Sequence, residues 1–335
     1  MKAVVLPQIG GPDQLRVTEM AAPEPASGQV RVRLCASALN HRDVWVTLGQ
    51  YPGIRLPCIL GSDGAGVVDQ VGAEVPADAL GQEVVIYPAY DWGDNPRFPK
   101  ATFRVLGMPD PGAFAEYICV PADHVFPKPA HLSWEQAAAI PLAGLTAWRA
   151  LMTQGAAQSG DTVLITGIGG GVATFALKWA VALGAQVFVT SGSPVKLEQA
   201  RLMGAAGGVN YRDSDWAKQL AALSGGVDVI VDGTGGATFA GCFSVLRPGG
   251  RLVIYGATAG NPPTGLEMAR LFFRQASIIG STMGSPLEFA AMLHFVAEHR
   301  IEPVLDRIFA FDEVVAAHQR LQAGEQQGKI VLQQG

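Results

Sequence analysis

Residues 161–192, DTVLITGIGGGVATFALKWAVALGAQVFVTSG, decide the fold of this chain. A β-type run at 163–166 ends on a glycine turn. Val172, Phe175, Ala176, Trp179, Ala180 and Leu183 then recur at helical spacing until Gly184 stops the helix. A second apolar run follows at 187–190, so the stretch reads as strand, glycine turn, helix, strand, a βαβ unit. A helix that opens on glycines offers unpaired N–H groups and a partial positive charge, and it lets a pyrophosphate approach the backbone closely. Read as G-x-G-x-x-G from Gly167, the third glycine position falls on Val172, whose side chain would intrude where helix and strand pack. A turn one residue longer places Gly167, Gly170 and Ala173 at the constrained positions, and this register is preferred.

Downstream, β runs at 227–232 and 252–255 alternate with helical stretches, which predicts a parallel sheet with right-handed crossovers. Upstream, short β runs at 2–6, 29–35, 65–71, 82–87 and 114–120 are punctuated by turn residues and predict an irregular antiparallel domain. Pro121, Pro127 and Pro129 mark the change of style, and Ser133 with Gln136 forms a capping box ahead of a helix at 137–140. Beyond 285, an amphipathic helix at 286–299 and a last strand at 329–332 return to mixed structure. At 335 residues the chain exceeds the roughly 250–300 at which single cores stop growing, so two domains are expected.

Apolar residues make up 49% and charged residues 16%, which excludes a disordered chain. A net charge of −5 with no basic run argues against nucleic acid as partner. No apolar run reaches the roughly 18 residues of a membrane span, and MKAVVLP is too short an apolar start for a signal peptide, so a cytoplasmic protein without membrane contact is expected. Cys35, Cys58, Cys119 and Cys242 form no C-x-x-C pair and are read as reduced.

Cofactor choice is read at the end of the second strand, where an NAD enzyme places an acid on the ribose hydroxyls. Ser191, Gly192 and Ser193 stand there instead, followed by Lys196, which can neutralise a 2′-phosphate. A lone first-turn lysine would be unremarkable. Joined to the missing acid, it points to NADPH rather than NADH.

These residues are joined by others in order along the whole chain: LNHRD at 39–43, GQYP at 49–52, LGSDGAGVV at 60–68, GAFAEY at 112–117, PLAGLTA at 141–147, GSPVK at 192–196, VNYR at 209–212, RPGGRLVIYG at 247–256 and GKIVL at 328–332. With them the chain resembles the medium-chain dehydrogenase/reductase superfamily, and within it the zinc-free quinone oxidoreductase branch. The resemblance implies an α/β fold: a GroES-like β domain from residues 1–124 and 275–335, a doubly wound Rossmann NADP-binding domain from 125–274, an active site in a cleft, and a homodimer. It implies that Thr146 meets the nicotinamide end and that Gly170, Gly171 and Val172 meet the pyrophosphate. Ser193, Lys196 and Tyr211 would meet the 2′-phosphate and adenosine ribose. Gly256 and Ala257 would meet the nicotinamide ribose, and Lys329 a phosphate. Ser191, Gly192 and Thr234 belong to the same expected cofactor set, and Asp43 orients its loop or the cofactor.

Zinc members of the superfamily carry Cys where this chain has Asn40, His-Glu where it has Ser62-Asp63, and Cys or an acid near Leu142. An amide, a hydroxyl and a leucine cannot assemble a zinc tetrahedron, so no metal is expected. Without a Lewis acid, hydrogen-bond donors must stabilise the charge developing on a substrate oxygen, and Asn40 and Tyr51 are the candidate catalytic residues. The expected reaction is hydride transfer from NADPH to a quinone, enone or other small carbonyl. The alternatives are a metal-independent alcohol dehydrogenase and a non-catalytic nucleotide-binding protein. Loops at 45–58, 87–112 and 258–285 would set substrate choice, with Trp45, Trp92 and Phe98 as aromatic candidates and His41 as a surface loop residue.

Overall fold

The computed structural model describes residues 1–263 and 265–334; Thr264, inside the expected substrate loop 258–285, and Gly335 lie outside them. The chain divides into two compact units, Met1–Leu145 with Gly284–Gly335, and Thr146–Met283.

In the second unit, β-branched and aromatic runs form a six-stranded parallel sheet in the spatial order Gly207–Asn210, Gln186–Ser191, Thr162–Ile165, Val227–Asp232, Leu246–Ile254, Ser277–Gly280. In order of first appearance this is 3-2-1-4-5-6, the doubly wound dinucleotide-binding topology. The reversal falls between the strands Thr162–Ile165 and Val227–Asp232, where such sheets hold their ligands at the carboxyl ends. Helix Gly171–Leu183 follows the glycine turn and buries Phe175, Ala176, Trp179 and Ala180, and Gly184 in the left-handed region (φ 86°) closes it.

In the first unit, strands Val125–Pro127, Glu83–Ile86, Asp63–Val71, Gln29–Ala38, Lys329–Gln333 and Leu305–Ala310 pair in that order, and Tyr117–Pro121 joins Gln29–Ala38. Pairing is antiparallel except between Leu305–Ala310 and Lys329–Gln333, which run parallel. Val30, Val32, Leu34, Val68, Val84 and Ile86 alternate inward to form one core cluster of this unit. The C-terminal strand lies against Gln29–Ala38 with Val331 opposite Ala38, so the two chain ends share one sheet.

The division falls at 145 and 284 rather than at 124 and 275. Val125–Pro127 pairs with Glu83–Ile86, and helix Trp134–Ala138, opened by the Ser133–Gln136 capping box, belongs to the same unit. Ser277–Gly280 pairs with Leu246–Ile254 and stays in the parallel sheet. Prolines marked a change in local style there, not an edge of packing. All four cysteines are free thiols. Among the described residues no helix is long and apolar enough to cross a membrane.

Candidate active site

The residues of the second unit expected at the cofactor gather at the carboxyl ends of its strands. Gly167 and Gly169 take positive φ (63° and 127°), and Gly170 is the N-cap of helix Gly171–Leu183. A Cβ added to Gly170 would meet nothing within 4 Å, so the approach to the N–H groups of Gly171 and Val172 is open. That opening and those free helix-end donors fit a pyrophosphate. Thr190 Oγ1 accepts from Gly167 N at 3.1 Å and braces the turn.

At the end of the second strand, Ser191 Oγ accepts from Ser193 N at 3.1 Å, and the Ser193 hydroxyl accepts from Lys196 N to cap helix Pro194–Leu202. Lys196 folds back across the glycine turn: a Cβ on Gly169 would lie 2.6 Å from Lys196 Cδ and 3.1 Å from its Nζ. Beside it, a Cβ on Gly192 would lie 2.7 Å from Arg212 Nε and 3.0 Å from the Tyr211 hydroxyl. The set around Gly192 therefore includes a cation absent from the sequence-based assignment, Arg212. Its signal was present, a guanidinium directly after a tyrosine already placed at the adenosine ribose.

Thr234 is tied to the first strand through its hydroxyl, which donates to Thr166 Oγ1 at 3.1 Å, while its N–H donates to the buried Asp232 carboxylate at 2.9 Å. Thr166 donates to the same carboxylate at 2.6 Å. The segment after Leu246–Ile254, with Gly256 and Ala257, is held to this loop by Thr258 N donating to Gly233 O and Ala259 N to Thr234 O. Thr146 is buried and donates to the Met283 sulfur at 3.7 Å.

The first unit holds the candidate catalytic residues. Asn40 is the N-cap of helix His41–Thr47, and its backbone N–H donates to Asp43 Oδ2 at 2.8 Å. Its side chain lies between two buried charges: Oδ1 accepts from Lys329 Nζ at 2.7 Å, and Nδ2 donates to Asp63 Oδ2 at 2.9 Å. Lys329 also donates to Leu39 O at 2.7 Å and to Asp63 Oδ2 at 2.8 Å. An ammonium has three donors, and all three are used here. Lys329, expected at a cofactor phosphate, is a buried node of the first unit.

Arg42 is buried beneath the half-buried Tyr51, with its guanidinium carbon 4.9 Å from the ring centre. Its Nη1 donates to Ser62 Oγ at 2.7 Å and to Leu106 O at 2.8 Å. Asp43 is fully buried, and its Oδ1, 3.9 Å from Arg42 Nη1, accepts no hydrogen bond. Burial pushes its carboxyl up to about 6, against the pull of Arg42 and the Asn40 N–H. His41 is exposed, Trp92 is core and packs on Phe103, and Phe98 is exposed.

The residues at the zinc positions do not fit the metal. Asn40 and Ser62 are engaged by Lys329 and Arg42, and Leu142 has no side-chain atom that binds a metal, while its N–H donates to Asp63 Oδ1 at 2.7 Å. Among the described residues no group of three or more His, Cys, Asp or Glu could hold a metal ion.

Comparison with known proteins agrees with this architecture. Residues 26–130 match the family described as alcohol dehydrogenase GroES-like domain, and residues 171–298 match zinc-binding dehydrogenase. A zinc-type alcohol dehydrogenase-like protein YogA from Leptosphaeria maculans is 36% identical over 97% of this chain and 96% of its own. A quinone oxidoreductase from Pseudomonas aeruginosa is 31% identical over 99% of both chains. The solved structure of an NAD-dependent alcohol dehydrogenase covers both chains fully, with 41% identity and a TM-score of 0.94. With the 3-2-1-4-5-6 sheet, the open glycine turn and relatives matched end to end, the chain belongs to the medium-chain dehydrogenase/reductase superfamily, as an oxidoreductase of the alcohol dehydrogenase and quinone oxidoreductase type.

Proposed function

We propose that this oxidoreductase uses NADPH, needs no metal ion, and reduces a quinone, enone or other small carbonyl. The observation that carries the reading is the pair of cations, Lys196 over Gly169 and Arg212 over Gly192, at a strand end that carries no acid. A 2′-phosphate is favoured there, because an ammonium and a guanidinium both donate charge-assisted hydrogen bonds to it.

A bound reduced nicotinamide supplies the hydride. The chain's part is to stabilise the negative charge that develops on the substrate oxygen and to return a proton to the reduced product. The Asn40 amide has two N–H groups, of which Asp63 takes one, and the other donates to that oxygen. The Tyr51 hydroxyl, or water, supplies the proton, and Arg42 behind the ring steadies Tyr51. Asp43 acts through the backbone of Asn40 rather than on the substrate. The enzyme is read as a cytoplasmic homodimer.

Following oxidation of NADPH and NADH over a panel of carbonyls, with and without chelator, tests this. Chelator-insensitive turnover with NADPH is expected, with Asn40→Ala lowering kcat by about 10²-fold. Full turnover in both Asn40→Ala and Tyr51→Phe would refute the assignment. A second reading, a metal-independent alcohol dehydrogenase, is favoured by the likeness to the NAD-dependent alcohol dehydrogenase; alcohol oxidation with NAD⁺ exceeding carbonyl reduction with NADPH would establish it.

A further inference from the structure

We infer that the buried Lys329–Asp63 ion pair is a positioning device, which locks the Asn40 amide in the one orientation that leaves an N–H free for the substrate oxygen. The inference rests on the proposed reductase reading and deepens it by assigning two residues to the catalytic donor.

The argument is one of donors and acceptors. An ammonium can only donate and a carboxylate can only accept, so an amide between them has a single compatible orientation. Asn40 Oδ1 faces Lys329 at 2.7 Å and Nδ2 faces Asp63 at 2.9 Å. Turning the amide over would set its NH₂ against the ammonium and its oxygen against the carboxylate. Lys329 is 3% exposed and Asp63 fully buried, so no water relieves either clash. With Oδ1 on the cation and one N–H on the anion, the second N–H is the group the amide has left to offer.

The cation also withdraws electron density through the amide and strengthens that N–H as a donor. The sheet fixes all three backbones, since Ala38 pairs with both Asp63 and Val331, and Leu39 N donates to Ile330 O. A fixed ammonium thus polarises a donor at the position where zinc relatives carry a metal ligand.

The test is a double-mutant cycle on the full chain. Lys329→Met alone strands the Asp63 carboxylate in the interior and threatens folding, so the neutral pair Lys329→Met/Asp63→Asn is the working variant. Expected are an NADPH Kd, from calorimetry, within about twofold of the parent and a kcat lowered by about 10- to 100-fold. In the Asn40→Ala background the same pair should change kcat by less than about threefold, because the device acts only through that amide. An equal loss in both backgrounds, or a weakened NADPH Kd with unchanged kcat, would overturn the inference.

A measurement on the parent chain needs no variant to fold. Isobutyramide, whose carbonyl does not accept hydride, is titrated into the NADPH-bound protein labelled with ¹⁵N at asparagine. One of the two Asn40 side-chain protons should shift and the other stay; two unmoved protons at saturation, or two shifted equally, would overturn the proposal. If the parent chain fails to bind NADPH or to reduce any carbonyl, the reductase reading itself falls and takes this inference with it. If both hold and the cycle is additive, this inference alone falls.

Discussion

Asp43→Asn should make the protein progressively more stable than the parent as pH rises from 4 to 6. The Asp43 carboxyl is fully buried, receives one hydrogen bond from Asn40 N, and leaves Oδ1 without a partner. Desolvation raises it to about 6, Asp63 adds to the rise, and Arg42, the Asn40 N–H and Lys329 oppose it. In the unfolded chain the same group titrates near about 3.9. Between those values the folded state binds more protons than the unfolded one, so stability falls as pH rises through the window and levels off above about 6. Two pH units at about 1.4 kcal/mol each give a penalty of about 3 kcal/mol in the charged form. Asparagine keeps an oxygen acceptor for Asn40 N and does not titrate. Its NH₂ facing Arg42 adds an offset independent of pH, so the slope is the prediction and not the intercept. Urea unfolding of both proteins at half-unit steps from pH 4 to 7.5 measures it. The stability difference should grow by about 3 kcal/mol and then stay flat; curves that run parallel throughout would refute the reasoning.

Lys196→Ala and Arg212→Ala should each lower kcat/KM for NADPH by about tenfold, or about 1.4 kcal/mol, while NADH is unaffected; equal losses with both cofactors would mean that neither cation reads the 2′-phosphate. Gly169→Ala places a Cβ 2.6 Å from Lys196 Cδ at a φ of +127°, so calorimetric NADPH affinity should drop and stability should fall by about 1–3 kcal/mol. Phe289→Ala empties a fully buried site against Tyr87 and Phe126 (ring centres 5.4 and 5.0 Å away) and should cost about 3–5 kcal/mol in denaturant melts.

The parallel sheet was legible in the sequence because its strands announce themselves locally. The runs at 163–166, 187–190 and 227–232 lie within a residue of the observed strands, and Gly184 stops its helix where a left-handed residue is needed. The strand Leu246–Ile254 begins six residues before the run at 252–255, because Pro248, Gly249 and Gly250 hide its first half from any reading by propensity. The glycine turn is legible for the same reason, since it depends on neighbours within a few residues and on one adjacent strand.

The first unit's site depends on register instead. Lys329 meets Asn40 across 289 positions and Asp63 across 266, through a C-terminal strand laid against Gln29–Ala38. Periodicity says that Lys329 begins a strand but not which strand it faces, and a cofactor phosphate is its partner by resemblance alone. The same limit explains Asp63. From sequence, Asn40, Ser62 and Leu142 could be read only as the absence of zinc ligands, because a missing donor is a local fact. What surrounds those three positions is not local. The ammonium on Asn40 Oδ1 and the guanidinium on Ser62 Oγ are cations brought in from other parts of the chain. Each of these cations is matched by a buried carboxylate, Lys329 by Asp63 at 2.8 Å and Arg42 by Asp43 at 3.9 Å, so the pocket holds two paired charges, of which only the fold brings Lys329 to its partner.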